Sequence, residues 1–301
     1  MNKLLSTVAC GALLLASGAA NAADLNAPIV DEAAVSSAFA GIVEIGGIVR
    51  NSAEYDNGDL EHETTIGGAY GSFAVSGNVE GVRLGLDGYV EGMSFDDIAE
   101  NGEFTPQALG VLGAHLGLDL ESGYVGVFGA GGLYPDGDNE NMVTGVAGGV
   151  EGLVQLDAVA LFGKLGYAFA PSVEYEDDYR EGFVGPFVEA GLTYALSDDV
   201  AVLASVGYGH SADFDVSDEP GDVTTWGLKV AYRLPTELNL NLVASYDGYH
   251  VLMENEDEIV EHTFKIGLSI PLGDGGTAAQ ALNPLATSVT PFRAGFASDA
   301  L

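Results

Sequence analysis

The sequence predicts an all-β fold, an up-and-down antiparallel β-barrel of about 12 strands. Three observations predict it. Apolar and polar residues alternate with period two in segments that recur roughly every twenty residues. Glycine accounts for 43 of 301 residues, about double the usual ~7%. That excess argues against long helices, where each interior glycine costs about 1 kcal/mol. The connections alternate strictly between short and long, so neighbouring strands run antiparallel and all the tight turns fall at one end. A Greek-key sandwich would not produce that rhythm, whereas a meander would.

The strands are expected near 38–50, 62–76, 80–95, 107–120, 124–134, 142–156, 158–170, 182–196, 200–212, 223–234, 238–252 and 260–272. No stretch between them has room for a packed helix of ordinary length. The tight connections are SGNV (76–79), ESG (121–123), LD (156–157), SDD (197–199) and PTE (235–237). The long ones are NSAEYDNGDLEHE (51–63), SFDDIAENGEFT (94–105), PDGDNEN (135–141), PSVEYEDDYRE (171–181), SADFDVSDEPGD (211–222) and ENEDEIVE (254–261). These six hold 27 of the 45 acidic residues and a single base, Arg180.

Side-chain parity then divides each strand into two faces. On 80–95, Val82, Leu84, Leu86 and Val90 oppose Arg83, Asp87, Tyr89 and Glu91. On 223–234, Trp226, Leu228, Val230 and Tyr232 oppose Thr225, Lys229 and Arg233. On 238–252, Leu238, Leu240, Leu242 and Tyr246 oppose Asn239, Asn241, Ser245 and Asp247. Segments 107–120 and 124–134 are so rich in glycine and alanine that their outward parity stays open. A soluble barrel turns its apolar side inward, and three features favour the reverse. Strands of about 10 residues at ~3.3 Å each, tilted ~45°, span the ~25 Å apolar band of a membrane. Aromatic residues (Tyr124 and Tyr134, Trp226 and Tyr232, Tyr194 and Tyr208) sit near strand ends, where an interfacial girdle wants them. The polar face carries too many ionic groups for a dry core, where each unpaired charge costs several kcal/mol. The expected barrel is therefore transmembrane, with lipid outside and charge within. The acidic segment 254–261 then stands in water, and the alternating segment 263–272 descends through lipid.

The flanks read differently. Residues 1–22 have the form of a signal peptide, with Lys3, an apolar run from Leu4 to Leu15, and Ala20-Asn21-Ala22 before the expected cut. Residues 23–37 form an expected periplasmic N-terminal segment, 38–272 the outer-membrane barrel, and 273–301 a C-terminal tail that is either periplasmic or lumenal. The sole cysteine, Cys10, lies in the signal segment, so the mature chain has no disulfide and no thiolate metal site. A net charge of −36, from 45 acids against 9 bases, excludes nucleic acid as a partner because a polyanion is repelled.

At this point the chain resembles Gram-negative outer-membrane β-barrels of the porin type, over about residues 38–272. Its last strand is similar to the signal read by the barrel-assembly machinery: a polar residue, glycine two on, then two hydrophobic positions. Here these are Lys265, Gly267, Ile270 and Leu272. Such barrels commonly end in an aromatic residue, whereas this chain runs 29 residues past Leu272. The resemblance implies a bacterial outer-membrane location, contact with outer-membrane lipid and lipopolysaccharide, and a family in which homo-oligomers occur. Twelve-stranded members include solute channels and hydrolases, so strand number alone does not choose between them.

Assigning the charged parity to the interior collects Glu44, Asp87, Glu91, Asp119, Glu151, Glu189 and Asp247 with Arg50, Arg83, Lys164, Lys229, Arg233 and Lys265. Opposed charge rows along a wet constriction are how diffusion pores orient solutes. The expected pore-lining set is Glu44, Arg83, Asp87, Glu91, Glu151, Lys164, Glu189, Lys229, Arg233, Asp247 and Lys265. It implies a porin-like channel for passive diffusion of small hydrophilic, preferentially cationic solutes. The first alternative is a non-conducting structural or surface barrel, an adhesin or lipopolysaccharide partner, in which the same charges form a filling salt-bridge network. The second is an outer-membrane hydrolase using His210 with Asp213, or His250 with Asp247 and Glu254. With so many acids on the rim, such proximities are also expected by chance, and no enzyme activity and no catalytic residue is assigned. Asp136 to Met142 alternates oxygen donors as a calcium loop does, yet lacks glycine at the sixth position and glutamate at the twelfth. No cofactor or defined metal site is expected, only weak divalent-cation binding by the acidic loops.

Overall fold

In the computed structural model, residues 39–56, 58–95, 105–135, 142–170, 173–175, 178–180, 183–211, 220–236, 239–253, 258–272 and 277–286 are described. Expectations for residues 1–38, including the signal peptide and Cys10, and for the calcium-like loop before Met142 lie outside them.

Twelve strands form one closed barrel. They are β1 (Phe39–Asp56), β2 (Asp59–Val79), β3 (Val82–Phe95), β4 (Thr105–Leu120), β5 (Gly123–Pro135), β6 (Met142–Leu156) and β7 (Val159–Ala170), followed by β10 (Phe183–Ser197), β11 (Val200–Ser211), β12 (Gly221–Arg233), β13 (Asn241–Met253) and β14 (Glu258–Leu272). Between β7 and β10, β8 (Val173–Tyr175) and β9 (Asp178–Arg180) pair as a separate small hairpin. Each barrel strand pairs antiparallel with its neighbours in the chain, and β1 pairs with β14 from Gly41↔Leu272 to Tyr55↔Glu258, which closes the ring. Closure leaves no unpaired edge, the condition for placing strands in lipid.

All twelve expected strands are present, with differences at the ends that have physical reasons. Residues 51–63, expected as an acidic loop, continue the β1–β2 ladder to Asp56↔Asp59, with a register shift at Glu54/Tyr55. Beyond the apolar band both faces of a hairpin meet water, so the alternation disappears while the backbone pairing continues. The first short turn lies at Glu80–Gly81, not at residues 76–79. Both residues take left-handed φ values, 53° and 86°, and the Gly81 amide donates to Asn78 Oδ1 at 3.0 Å. Glu261, counted by sequence among the loop acids, belongs to β14 and points inward, fully buried.

The tail enters the barrel. A 3₁₀ turn, η1 (Ala278–Ala281), lies inside the short-turn end, where Ala278, Ala281 and Leu282 pack on Ala201, Ala231 and Val243. The Ala278 amide donates to the Asp198 carbonyl at 3.0 Å, and Lys164 Nζ donates to the Ala286 carbonyl.

Candidate functional site: the lumen

Parity assigns one face of every barrel strand to the outside. Among the outward residues Ile45, Leu116, Val150, Leu165 and Ile266 stand exposed, Ile266 at 60%. The open parity of β4 and β5 resolves here: Leu112, Leu116 and Leu118 face out on β4, and Val125 and Val127 on β5. Tyr194 and Tyr232 lie on the outer surface toward the short-turn end, and Tyr167 and Tyr208 toward the long-loop end. Trp226, Tyr246, His262 and Phe264 form a further outward aromatic group. Within it the His262 and Tyr246 rings stack at 5.9 Å, and Tyr246 Oη lies 2.9 Å from His262 Nδ1. A continuous greasy exterior around a charged interior is stable only with hydrocarbon outside. The molecule is a transmembrane β-barrel.

Inside the barrel the ionic side chains are organised in layers. Near the short turns, Arg83 meets Asp119 at 2.7 Å and lies over the Tyr124 ring, while Arg233 donates to Asn239 Oδ1 at 3.0 Å. At mid-height Glu44 accepts from Lys229 Nζ and from the Tyr70 hydroxyl, both at 2.7 Å. Lys265 lies 3.3 Å from Asp247 and 4.9 Å from the centre of the Tyr89 ring. His115 stands between two carboxylates, with Nδ1 2.9 Å from Glu151 and Nε2 3.4 Å from Asp87; Tyr124 donates to the same Glu151 at 2.9 Å. Toward the long loops Arg50, fully buried, binds Glu91 at 2.5 Å and Glu261 at 3.2 Å. Tyr89 donates to the other Glu91 oxygen, and Thr263 to Glu261. Apart from Arg233, each of these ions meets an opposite charge or His115, and several take further hydrogen bonds, which keeps the cost of burying charge down.

All eleven residues of the expected pore-lining set project into the interior. They do not form one constriction: Arg83 and Arg233 belong to the short-turn rim, Glu91 to the Arg50 cluster, and the rest to the middle. Sequence reasoning overlooked the lumenal partners Tyr70, His115 and Glu261. It also misplaced Tyr124, expected in the girdle, which is 2% exposed and faces inward. On β4 the odd positions Leu109, Val111, His115 and Asp119 already shared one face, a signal that the glycines obscured.

Of the residues suggested for a hydrolytic pair, His210 binds Asp222 at 2.9 Å on the outer surface, and His250 binds Glu258 at 2.8 Å. Asp247 faces the lumen and His250 the outside, so this pairing is ruled out by alternation along β13. Asp213 and Glu254 lie outside the described residues. No group of three or more His, Cys, Asp or Glu side chains able to hold a metal occurs among the described residues.

A cavity of about 260 Å³ opens in the middle of the barrel. Its charged lining is Glu44, Asp87, Glu189, Asp247, Lys229 and Lys265, its aromatic wall includes Phe162, Phe183 and Phe187, and Asn283, Pro284 and Ala286 of the tail form its floor. Above it lie apolar side chains, Val251, Met253 and Ile259 in one cluster and Ile48, Ile66 and Leu109 in another.

No family model matches this chain, and no curated protein matches it. Among solved structures, the barrel is similar to the translocator domain of the autotransporter NalP from Neisseria meningitidis, with 14% identity and a TM-score of 0.46 over 88% of this chain and 97% of that one. It is also similar to the toluene transporter TodX of Pseudomonas putida, with 9% identity and a TM-score of 0.42 over 78% and 89%. A third is OpdQ of Pseudomonas aeruginosa, with 9% identity and a TM-score of 0.39 over 78% and 98%.

Proposed function

We propose that the barrel is a porin-like channel for passive diffusion of small hydrophilic solutes, preferentially cations, and that its C-terminal tail occupies the periplasmic mouth in the conformation described. The observation that carries this reading is the charged cavity of about 260 Å³. A barrel with a purely structural role has no reason to keep an ionic void at its centre, since an unfilled interior forgoes packing. Acids exceed bases along the cavity wall by four to two, and acid crowds the long loops, so a cation meets favourable potential at both places. In this reading the long loops face outward from the cell and the short turns face the periplasm. The greasy belt takes outer-membrane lipid and lipopolysaccharide, and β14 carries the signal for the assembly machinery.

Two features of β14 support that last assignment. Lys265 is held by Asp247, and Gly267 leaves the space into which Tyr70 lays its ring: a Cβ there would stand 2.6 Å from the Tyr70 hydroxyl oxygen. The signal residues thus build the seam at which the barrel closes.

The non-conducting reading is favoured by one observation, the seated tail. Planar-bilayer recording separates the two. The full chain is expected to give small, intermittent steps, and a chain lacking residues 274–301 larger and steadier ones. Silence from both would establish the closed barrel.

A further inference from the structure

We infer that the mid-barrel cavity is a binding site for a compact organic cation, an ammonium group carried on an apolar or aromatic body. The inference deepens the channel reading by naming a solute class for the same lumen, and rests on it only in that the solute must reach the cavity. Three observations converge on this class.

The first is an acid that forms no ion pair among the described residues. Glu189 lines the cavity, and its Oε2 is shielded from solvent with no hydrogen-bond partner among the described residues. Its neighbour across the β7–β10 ladder is Lys164, whose ammonium is turned to the Ala286 carbonyl of the tail. The other cations of the wall are engaged, Lys229 by Glu44 and Lys265 by Asp247. Its carboxylate therefore adds to the cavity wall a negative charge that no ion pair neutralises, and a bound cation would neutralise it.

The second is the aromatic wall beside it. Phe162 lies against Gly191, where an added Cβ would come within 2.5 Å of the ring, and Phe187 lies against Gly166, where the approach would be 2.7 Å. Gly191 is two residues from Glu189 on the same inward face of β10. Glycine at these positions lets the rings lie flat on the barrel wall, leaving open the space that larger neighbours would fill. Aromatic faces attract cations and accept apolar bodies alike.

Size is the third. A volume of about 260 Å³ corresponds to about nine water molecules at ~30 Å³ each. That suits a small solute.

The test uses benzylammonium, with benzyl alcohol and benzoate as its neutral and anionic counterparts, titrated calorimetrically into the refolded full chain in detergent micelles. Benzylammonium is expected to saturate one site at least tenfold more tightly than either counterpart. Glu189→Gln should remove that preference, and Glu189→Asp should retain most of it; heat-modifiable migration establishes that each variant is folded. Should Glu189→Gln fail to fold, the ratio of ammonium to alcohol on the unaltered chain decides alone. Equal binding of the three probes, or an unchanged preference in Glu189→Gln, overturns the inference. Conductance of K⁺ without benzylammonium binding sinks the site and spares the channel. Binding without conductance in either the full or the tail-deleted chain does the reverse.

Discussion

The lumen is narrowed in two places by two different means. Toward the long loops, side chains fixed to the strands narrow it: Arg50 with Glu91 and Glu261, and above the cavity the apolar clusters of Ile48, Ile66, Leu109 and of Val251, Met253, Ile259. Toward the short turns a separate stretch of chain, residues 277–286, closes it through Ala278, Ala281 and Leu282 and a few hydrogen bonds. The first closure is part of what holds β1, β3 and β14 together, so it cannot leave without unmaking the barrel. The second can leave as a unit, because no barrel strand depends on it for a pairing partner. A fold can thus be stable and gated at once if the two tasks fall to different segments.

The largest expected effect tests the fixed closure. Arg50→Ala strands two buried carboxylates, and removing one partner of a buried ion pair costs about 3–5 kcal/mol. The urea midpoint of the refolded barrel should fall accordingly. Replacing the whole cluster, Arg50→Met with Glu91→Gln and Glu261→Gln, should restore most of the loss, since no charge is then left unpaired. If Arg50→Ala is neutral, the cluster is not structural and the comparison fails.

A smaller effect is expected at the seam. Gly267→Val would place its Cβ 2.5 Å from the Ile45 carbonyl oxygen and 2.6 Å from the Tyr70 hydroxyl oxygen. Overpacking of this kind costs about 1–3 kcal/mol. Pairing it with Tyr70→Ala should return part of that in an equilibrium unfolding cycle. By contrast, Leu282→Asp would put a charge into the buried contact of the tail with Ala201, Ala231 and Val243; the tail should unseat instead, leaving the strand pairings and most of the barrel's stability intact. The variant should reproduce the conductance of the tail-deleted chain.

The strands and the polarity inversion were legible because period-two alternation survives wherever one face meets lipid and the other charge. Where that contrast fails, the sequence misleads. The β1–β2 hairpin past Ala53 carries polar and acidic residues on both faces, so it reads as loop. Tyr124 reads as a girdle residue because glycines on both sides of it hide which way it points. The pairing of Arg50 with Glu91 and Glu261 joins residues up to 211 positions apart, and only the registers of β1 on β14 and, through β2, on β3 bring them together. The lumenal seat of the tail has a faint signal in Ala278, Ala281 and Leu282, which form one apolar patch, but nothing in their spacing says what they cover.

The smallest effect expected is on ion selectivity, and it separates the loops from the lumen. In a KCl gradient the tail-deleted barrel should favour K⁺, with the preference strongest at low salt. Fields from exposed loop acids decay over ~10 Å at 0.1 M salt and ~3 Å at 1 M, so their share should vanish in molar salt. What persists should come from the cavity wall. Asp87→Asn probes that share cleanly, because Asp87 shares His115 with Glu151. Glu91, read from the sequence as an equivalent acid, is bound to Arg50; neutralising it would disturb the fixed closure and confuse stability with selectivity. The lumenal balance bounds the size of the effect. Counting Glu261, the inward-facing residues named above are eight acids against six bases, with His115 shared between two of the acids, so the residual preference should be a shift of the reversal potential and not full exclusion of chloride. Anion preference at low salt would mean that Arg83 and Arg233 at the short-turn rim govern passage instead. The gate and the filter would then be the same region, and the division of labour drawn from the two closures would not hold.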